Sequence, residues 1–234
     1  MAASSKILDN GAGSGMFTKI VREVQPECQI VATDISKGMI STLSQHNWSN
    51  VQTIVADAMD LQSAGLSEQT FTHSMGTIFI PFVPDPSKFI AEMQRVTKSG
   101  GVIALATWSR VSWVPVWQEA VREVVDADWT APPLFHLEAT ELEDVKGLLQ
   151  DAGLEKVQAR VFACPHPRKE SAEAAVEEFL TMGNPSTKLL MQDFSEEQIK
   201  SIRPAFVKAY SKKYDRAKKP QEELAFLAVG RVRQ

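Results

Sequence analysis

Three short apolar runs in the first quarter of the chain each break off at glycines or at an aspartate, and this repetition constrains the fold more than any other feature. Lys6-Ile7-Leu8-Asp9 runs into Gly11-Ala12-Gly13-Ser14-Gly15, Gln29 to Thr33 ends at Asp34, and Val51 to Ala56 ends at Asp57. Between the runs, Phe17, Ile20, Val21 and Val24 fall at helical spacing, and Met39, Ile40 and Leu43 do so behind a capping Ser36. The pattern continues with a fourth strand from Phe71 to Phe79 and a helix from about Pro86 to Val96. A turn at Lys98-Ser99-Gly100-Gly101 then leads into a fifth strand, Val102 to Thr107. Such alternation predicts a parallel sheet covered by helices on both faces.

After the fifth strand the sequence predicts a helix from about Val116 to Val125 and a Pro-containing connection. A helix from Leu142 to Ala152 follows, capped by Thr140 and ended by Gly153. A sixth strand, Val157 to Ala163, is separated from the last, Leu224 to Val229, by a mainly helical stretch from Glu170 to Arg216. A chain of 234 residues can bury one full core. A single domain is therefore expected, with a helical insertion at 170–218 that could act as a lid through Phe179, Leu180, Met182, Leu189, Leu190 and Met191.

With 44% hydrophobic and 23% charged residues the chain falls in the soluble globular class. Its net charge of -4 argues against a surface built for polyanions, so Lys208, Lys212, Lys213, Arg216, Lys218 and Lys219 read as a solvated helix face. Cys28 and Cys164 have neither metal-site nor disulfide spacing, and no metal is expected. There is no run of about 18 apolar residues and no signal-like start, which predicts a cytoplasmic protein that does not enter a membrane.

The glycine loop follows a strand and opens a helix, where the missing Cβ lets backbone approach a nucleotide-like ligand; a packed turn is the simpler alternative. A nicotinamide fingerprint would need glycine or alanine at position 16 or 18, which hold Met16 and Thr18, and the Gly-Lys-Ser/Thr of a phosphate loop is absent. Asp34 lies nineteen residues beyond Gly15 at a strand end, where a carboxylate can accept both hydroxyls of a ribose or cap the next helix. Asp57 holds the equivalent place one strand later, where it could accept an adenine amino hydrogen while Met59 packs on the ring. Carboxyl ends of parallel strands face one crevice, so loop and both acids converge there.

Asp9-x-Gly11-x-Gly13-x-Gly15, Asp34 and Asp57-Ala58 resemble the cofactor motifs of class I S-adenosylmethionine-dependent methyltransferases. Ser99-Gly100-Gly101-Val102 and Leu224-Ala225-Phe226-Leu227-Ala228-Val229 extend the likeness along the chain. The resemblance implies an α/β, Rossmann-like, doubly wound seven-stranded sheet whose last strand is antiparallel beside the sixth, with a helical insertion between strands six and seven. It also implies S-adenosylmethionine as cofactor and S-adenosylhomocysteine as product. Asp9, Gly11, Ala12, Gly13 and Gly15 would hold the methionine end, and Gly76 and Thr77 would line the methyl-donor side. Asp34, Ile35, Met39, Asp57, Ala58 and Met59 complete the cofactor set.

Thr72-His73, Thr107-Trp108 and Trp113-Val114-Pro115 are similar to fungal small-molecule methyltransferases of the gliotoxin thiomethyltransferase type, which implies secondary metabolism. Methyl transfer by in-line displacement needs positioning more than covalent help, so a small, apolar acceptor at sulfur, oxygen or nitrogen is expected. Phe79, Phe82, Trp108, Trp113 and Trp117 would enclose it, ordinary core packing being the alternative. His136 is the candidate base for an oxygen acceptor, a polar surface or packing role being the alternative; His46, His73 and His166 sit in less suitable places. The region after strand four lacks the Asn/Asp-Pro-Pro-Tyr pattern of adenine amino methyltransferases, so nucleic acid is not expected as a partner.

Enzymes of this kind carry helices ahead of the glycine motif, whereas only Met1 to Lys6 precede it here. A homodimer or a partner subunit could complete that amino-terminal lid. The competing functional reading is a cofactor-binding or partner subunit without methyl transfer, or a fold reused for another metabolite reaction.

Overall fold

The computed structural model of the chain describes residues 4–109, 113–132, 141–165, 171–181, 185–214 and 222–234. Its first half carries β1 (Lys6–Asn10), α1 (Met16–Val24), β2 (Gln29–Asp34), α2 (Lys37–Ser44), β3 (Val51–Val55), β4 (Phe71–Thr77), a 3-10 turn (Ile80–Phe82), α3 (Pro86–Val96) and β5 (Thr97–Trp108). Then come α4 (Val114–Val124), α5 (Leu142–Asp151), β6 (Glu155–Pro165), α6 (Ala172–Thr181), α7 (Pro185–Met191), α8 (Glu196–Lys213) and β7 (Glu222–Arg231). The seven strands make one sheet in the order β3-β2-β1-β4-β5-β7-β6. β1 to β5 pair in parallel and β7 runs antiparallel to β5, so the expected doubly wound α/β sheet with its reversed last strand is present.

The chain divides into two compact units. The first comprises Met1–Ser109, His136–Phe162 and Ala225–Gln234 and contains most of the sheet. Its strands alternate as a sheet covered on both faces must. Ile7, Ile30, Met75 and Ala104 meet Val21 of α1 on one face, while Ile103, Leu105, Phe226 and Ala228 meet Phe89, Ile90 and Met93 of α3 and Val145 and Leu149 of α5 on the other. Leu43 of α2 covers Ala12 and Ala32 on the first of these faces.

Local capping explains where the helices begin. Ser36 accepts the Met39 amide at 3.3 Å, and Asp85 accepts that of Lys88 at 3.0 Å ahead of Pro86 at the first helical position. The N-cap of α5 is Glu141, whose own amide bonds the Asp144 carboxylate at 2.9 Å; Thr140, the expected cap, lies outside the described residues.

The second unit comprises Arg110–Phe135 and Ala163–Leu224 and is mainly helical. Trp117 of α4 is fully buried there against Phe179, Phe194 and Phe206, with Val176, Leu190 and Ile202 around it. The stretch expected as an insertion thus shares a core with α4. Its basic face is tied down, since Lys208 and Lys212 pair with Glu123 and Glu119 of α4 at 2.8 and 3.1 Å. Met182, Arg216, Lys218 and Lys219 lie outside the described residues. No helix among the described residues is long and apolar enough to cross a membrane.

Two strand boundaries differ from expectation. β5 begins at Thr97, and its ladder with β4 jumps from Phe71↔Thr97 to His73↔Val102, so the glycine pair belongs to a bulge within a strand rather than to a turn ahead of one. A Cβ on Gly101 would stand 2.7 Å from the Lys98 carbonyl, which is why the bulge carries glycine there. β4 ends at Thr77 because Ile78 adopts a left-handed φ of 66° and turns the chain.

Glu92 of α3 holds the loop after β3. Its Oε2 accepts the amides of Leu61 and Gln62 at 2.8 and 3.1 Å, and its carboxylate pairs with Arg95 at 2.6 Å. The Arg95 guanidinium keeps the Glu92 carboxyl below its ordinary range despite partial burial. Glu92→Ala is expected to lower stability by about 1–2 kcal/mol at neutral pH. A lowered folded pKa stabilises above the unfolded value and is lost as pH falls through the folded one, so the gap to wild type should close in acid. Urea unfolding at neutral and acid pH measures it, and a pH-independent gap would rule this account out.

Candidate functional site

The carboxyl ends of β1, β2 and β3 carry Asp9, Asp34 and the segment beginning at Asp57, and the strand order reverses between β1 and β4. That reversal leaves a crevice outside the strand ends, the usual ligand position in open α/β sheets. The glycine loop is pinned over it by backbone hydrogen bonds from Gly11 and Ala12 to the Thr33 carbonyl at 2.9 and 2.8 Å, and from Gly13 to Asp34 Oδ2 at 2.9 Å. Gly11 has φ 77°, and a Cβ on it would overlap the ring of Phe79, so both conformation and space demand glycine. Gly15, also left-handed, opens α1.

Asp34 accepts the Gly13 amide through one oxygen and the Ser36 amide, at 2.8 Å, through the other. A carboxylate offers about four lone-pair sites, so each oxygen can accept once more. The helix that follows is capped by Ser36, not Asp34. Ile35, beside it, is 72% exposed, and Met39 is exposed as well. An isoleucine that open is a candidate platform for a flat, apolar ligand group.

Asp57 folds back to accept the Met59 amide at 2.8 Å, and Ala58 and Met59 pack partly on the core. Asn10, fully buried at the end of β1, donates from Nδ2 to the Ala58 carbonyl at 3.4 Å and accepts from Thr33 at 2.9 Å. This link between three strand ends went unread in the sequence. Its signal was a polar residue ending an apolar run.

Asp9 is fully buried. Its Oδ2 accepts the Thr18 hydroxyl at 2.6 Å, while Oδ1 has no partner among the described residues. Burial raises its pKa to about 6, against the opposing hydrogen bonds from Thr18. Thr18 was also missed, though a hydroxyl one turn before Val21 on the inward face of α1 marked it.

Gly76 is buried at the end of β4 beside Phe89, with Thr77 next to it. Phe79 packs edge-on to Phe89, and Phe82 is half-buried in the 3-10 turn. Ile78, just after β4, and Trp108, ending β5, are exposed apolar residues of the first unit. Trp113 and Trp117 belong to the second unit. Trp113 meets Phe179 at 4.6 Å, and Trp117, expected to line an acceptor site, sits wholly inside that unit's core, where packing accounts for it. His136 and His166 lie outside the described residues. His73 bonds Thr72 within β4, and His46 stacks on Trp48. Among the described residues no three His, Cys, Asp or Glu side chains gather as a metal site.

The donor and acceptor set fits S-adenosylmethionine: acceptors for a ribose diol at Asp34, an acceptor for an adenine amino group at Asp57, and at Asp9 a buried oxygen lacking a partner. Comparison with known proteins agrees. Residues 8–105 match the Methyltransferase domain family. Methyltransferase ucsB of an Acremonium species is 22% identical, with 84% of this chain and 71% of that protein covered. The first curated relatives are spanned over between 36% and 71% of their lengths.

Among solved structures, a methyltransferase from an antibiotic biosynthesis pathway of Anabaena variabilis superposes with a TM-score of 0.66 at 18% identity, covering 97% of this chain and 91% of that one. Haemonchus contortus phosphoethanolamine N-methyltransferase 2, solved with S-adenosylhomocysteine, gives 0.58 at 16% identity, covering all of this chain and 49% of that one. Over residues 8–105 the chain is similar to the Methyltransferase domain family, and its seven-stranded sheet shares the fold of these solved methyltransferases.

Proposed function

We propose that the chain methylates a small, apolar metabolite at sulfur, oxygen or nitrogen. The observation that supports an apolar acceptor is the pair of exposed side chains, Ile78 just after β4 and Trp108 at the end of β5, with half-buried Phe79 and Phe82 following Ile78 in the chain. Placement in secondary metabolism is supported by the likeness to the fungal methyltransferase ucsB.

When bound, S-adenosylmethionine supplies an electrophilic methyl carbon on a sulfonium. The bound group would supply its methyl to an acceptor's lone pair, the carbon–sulfur electron pair leaving with sulfur. Asp34 would accept the ribose hydroxyls and Asp57 the adenine amino group, with Ile35, Met39, Ala58 and Met59 available to pack on the base. The loop of Gly11, Ala12, Gly13 and Gly15 would border the methionine end, with open space over Gly13, and Asp9 would hold that end by its unpartnered oxygen. Gly76 and Thr77 border the donor side. Apolar walls keep water from the acceptor, so that positioning supplies most of the acceleration. An oxygen acceptor gains from a base, for which His136 is the candidate; a thiol is partly ionised already.

The test is incubation with isotope-labelled S-adenosylmethionine and a metabolite extract, read by mass spectrometry. Label is expected in a small apolar compound and in none when Asp34→Ala replaces wild type. Binding of cofactor without labelled product would instead support a cofactor-binding subunit.

A further inference from the structure

Asn10 is a buried amide at a place where the fold asks only for an apolar side chain. Leu8, two residues earlier on the same face of β1, packs among Val31, Ala56 and Leu61, yet Asn10 at the end of that row is polar and wholly shielded from solvent. Burying an amide is costly unless its hydrogen bonds are made. Thr33, directly opposite on β2, donates its hydroxyl to Asn10 Oδ1 at 2.9 Å, which leaves Nδ2 facing the Ala58 carbonyl 3.4 Å away. The reversed amide would set two acceptors against each other.

The Ala58 carbonyl shares its peptide plane with the Met59 amide, and that amide is the donor that anchors Asp57 Oδ1 at 2.8 Å. One flat group is therefore gripped twice, by Asn10 through its oxygen and by Asp57 through its N–H. Bonds linked in this way polarise and align one another. We propose, on the cofactor reading above, that Asn10 is a positioning residue: by holding the Ala58–Met59 peptide it fixes the Asp57 carboxylate against the base, so that the protein selects a 6-amino purine over a 6-oxo one. A carboxylate held in place accepts a hydrogen from the amino group and repels an oxygen at the same position. Without the Asn10 bond the peptide plane can turn and Asp57 turns with it, so the repulsion is evaded and selection falls.

The experiment compares the dissociation constants of S-adenosylhomocysteine and S-inosylhomocysteine, its 6-oxo counterpart, by isothermal titration calorimetry on the full chain. Wild type is expected to favour the amino compound about 30-fold, and Asn10→Leu, of the same branched shape, no more than about threefold. Thr33→Val removes the donor that orients Asn10 and should fall between, while Thr33→Ser keeps a hydroxyl and should keep the wild-type ratio; this pair carries the test should Asn10→Leu fail to fold. Ser74→Ala breaks a buried hydroxyl pair with Thr97, 2.6 Å apart and remote from the Ala58 peptide in the bonding network, and should lower the melting temperature without moving the ratio. A wild type that binds neither compound would overturn the cofactor reading and this proposal with it, and equal binding of the two would overturn the role of Asp57 and of Asn10 together. A wild-type preference that survives in Asn10→Leu, or in Thr33→Val where that variant alone folds, would overturn the positioning role of Asn10 and leave the cofactor reading standing.

Discussion

Asp34→Ala is expected to weaken S-adenosylmethionine binding by about 100-fold, measured by isothermal titration calorimetry at neutral pH. The figure follows from two hydrogen bonds between ribose hydroxyls and an ionised acceptor, each worth about 1.5–3 kcal/mol, reduced because water can enter the exposed side of the site. The substitution also frees the Gly13 and Ser36 amides, both partnered by this carboxylate. Those amides can turn to solvent, so the fold should survive with little change in melting temperature. Asp34→Asn retains one acceptor oxygen and should fall between. A loss below about threefold with the alanine variant would remove Asp34 from the cofactor set.

Asp9→Asn is expected to make the protein more stable and a poorer binder. In the unfolded chain the carboxyl titrates near its ordinary 3.8, while in the fold burial raises it to about 6. Below 3.8 both states hold the proton and the group costs nothing. As pH rises through that window the unfolded chain releases the proton first, so stability falls; above about 6 the cost is constant. A shift of this size is worth up to about 3 kcal/mol, and asparagine, neutral and of the same shape, removes it while still accepting the Thr18 hydroxyl. Urea unfolding at pH 8 should show the gain and a series into acid its disappearance. The variant should lose cofactor affinity, because a neutral amide cannot offer a charge to the methionine ammonium. Destabilisation at pH 8 would show that Asp9 is solvated or paired in the fold.

The sheet was legible because its information is local. Runs such as Ile30-Val31-Ala32, short and bounded by turn signals, read as buried strands, and the aspartate or glycine ending each run marks where the strand stops. The reversed β7 came from resemblance, since nothing within Leu224–Val229 records direction. The places of Asp9, Asp34 and Asp57 at successive strand ends were legible for the same local reason.

What failed was decided by distant neighbours. Gly100-Gly101 looks like a turn in isolation and becomes a bulge only because Phe71 and His73 pair on either side of it. No propensity predicts the left-handed Ile78, whose amide is held by the Ala106 carbonyl at 2.7 Å. Trp117 sits one turn beyond Trp113 and could be read as lining a pocket. Only the helices that arrive some sixty to ninety residues later, carrying Phe179 and Phe206, show that it is core.

The seat of β7 between β5 and β6 bears on how the chain is made. β1 to β5 can pair with one another as they leave the ribosome, each completing a parallel ladder with strands already present. β6 emerges with no neighbour, and the outer flank of β5 stays bare until three more helices have been synthesised and β7 has followed them. During that interval two unpaired strand flanks invite mispairing between nascent chains. A cell making this protein would meet that hazard in every molecule, ahead of any chemistry the finished crevice performs.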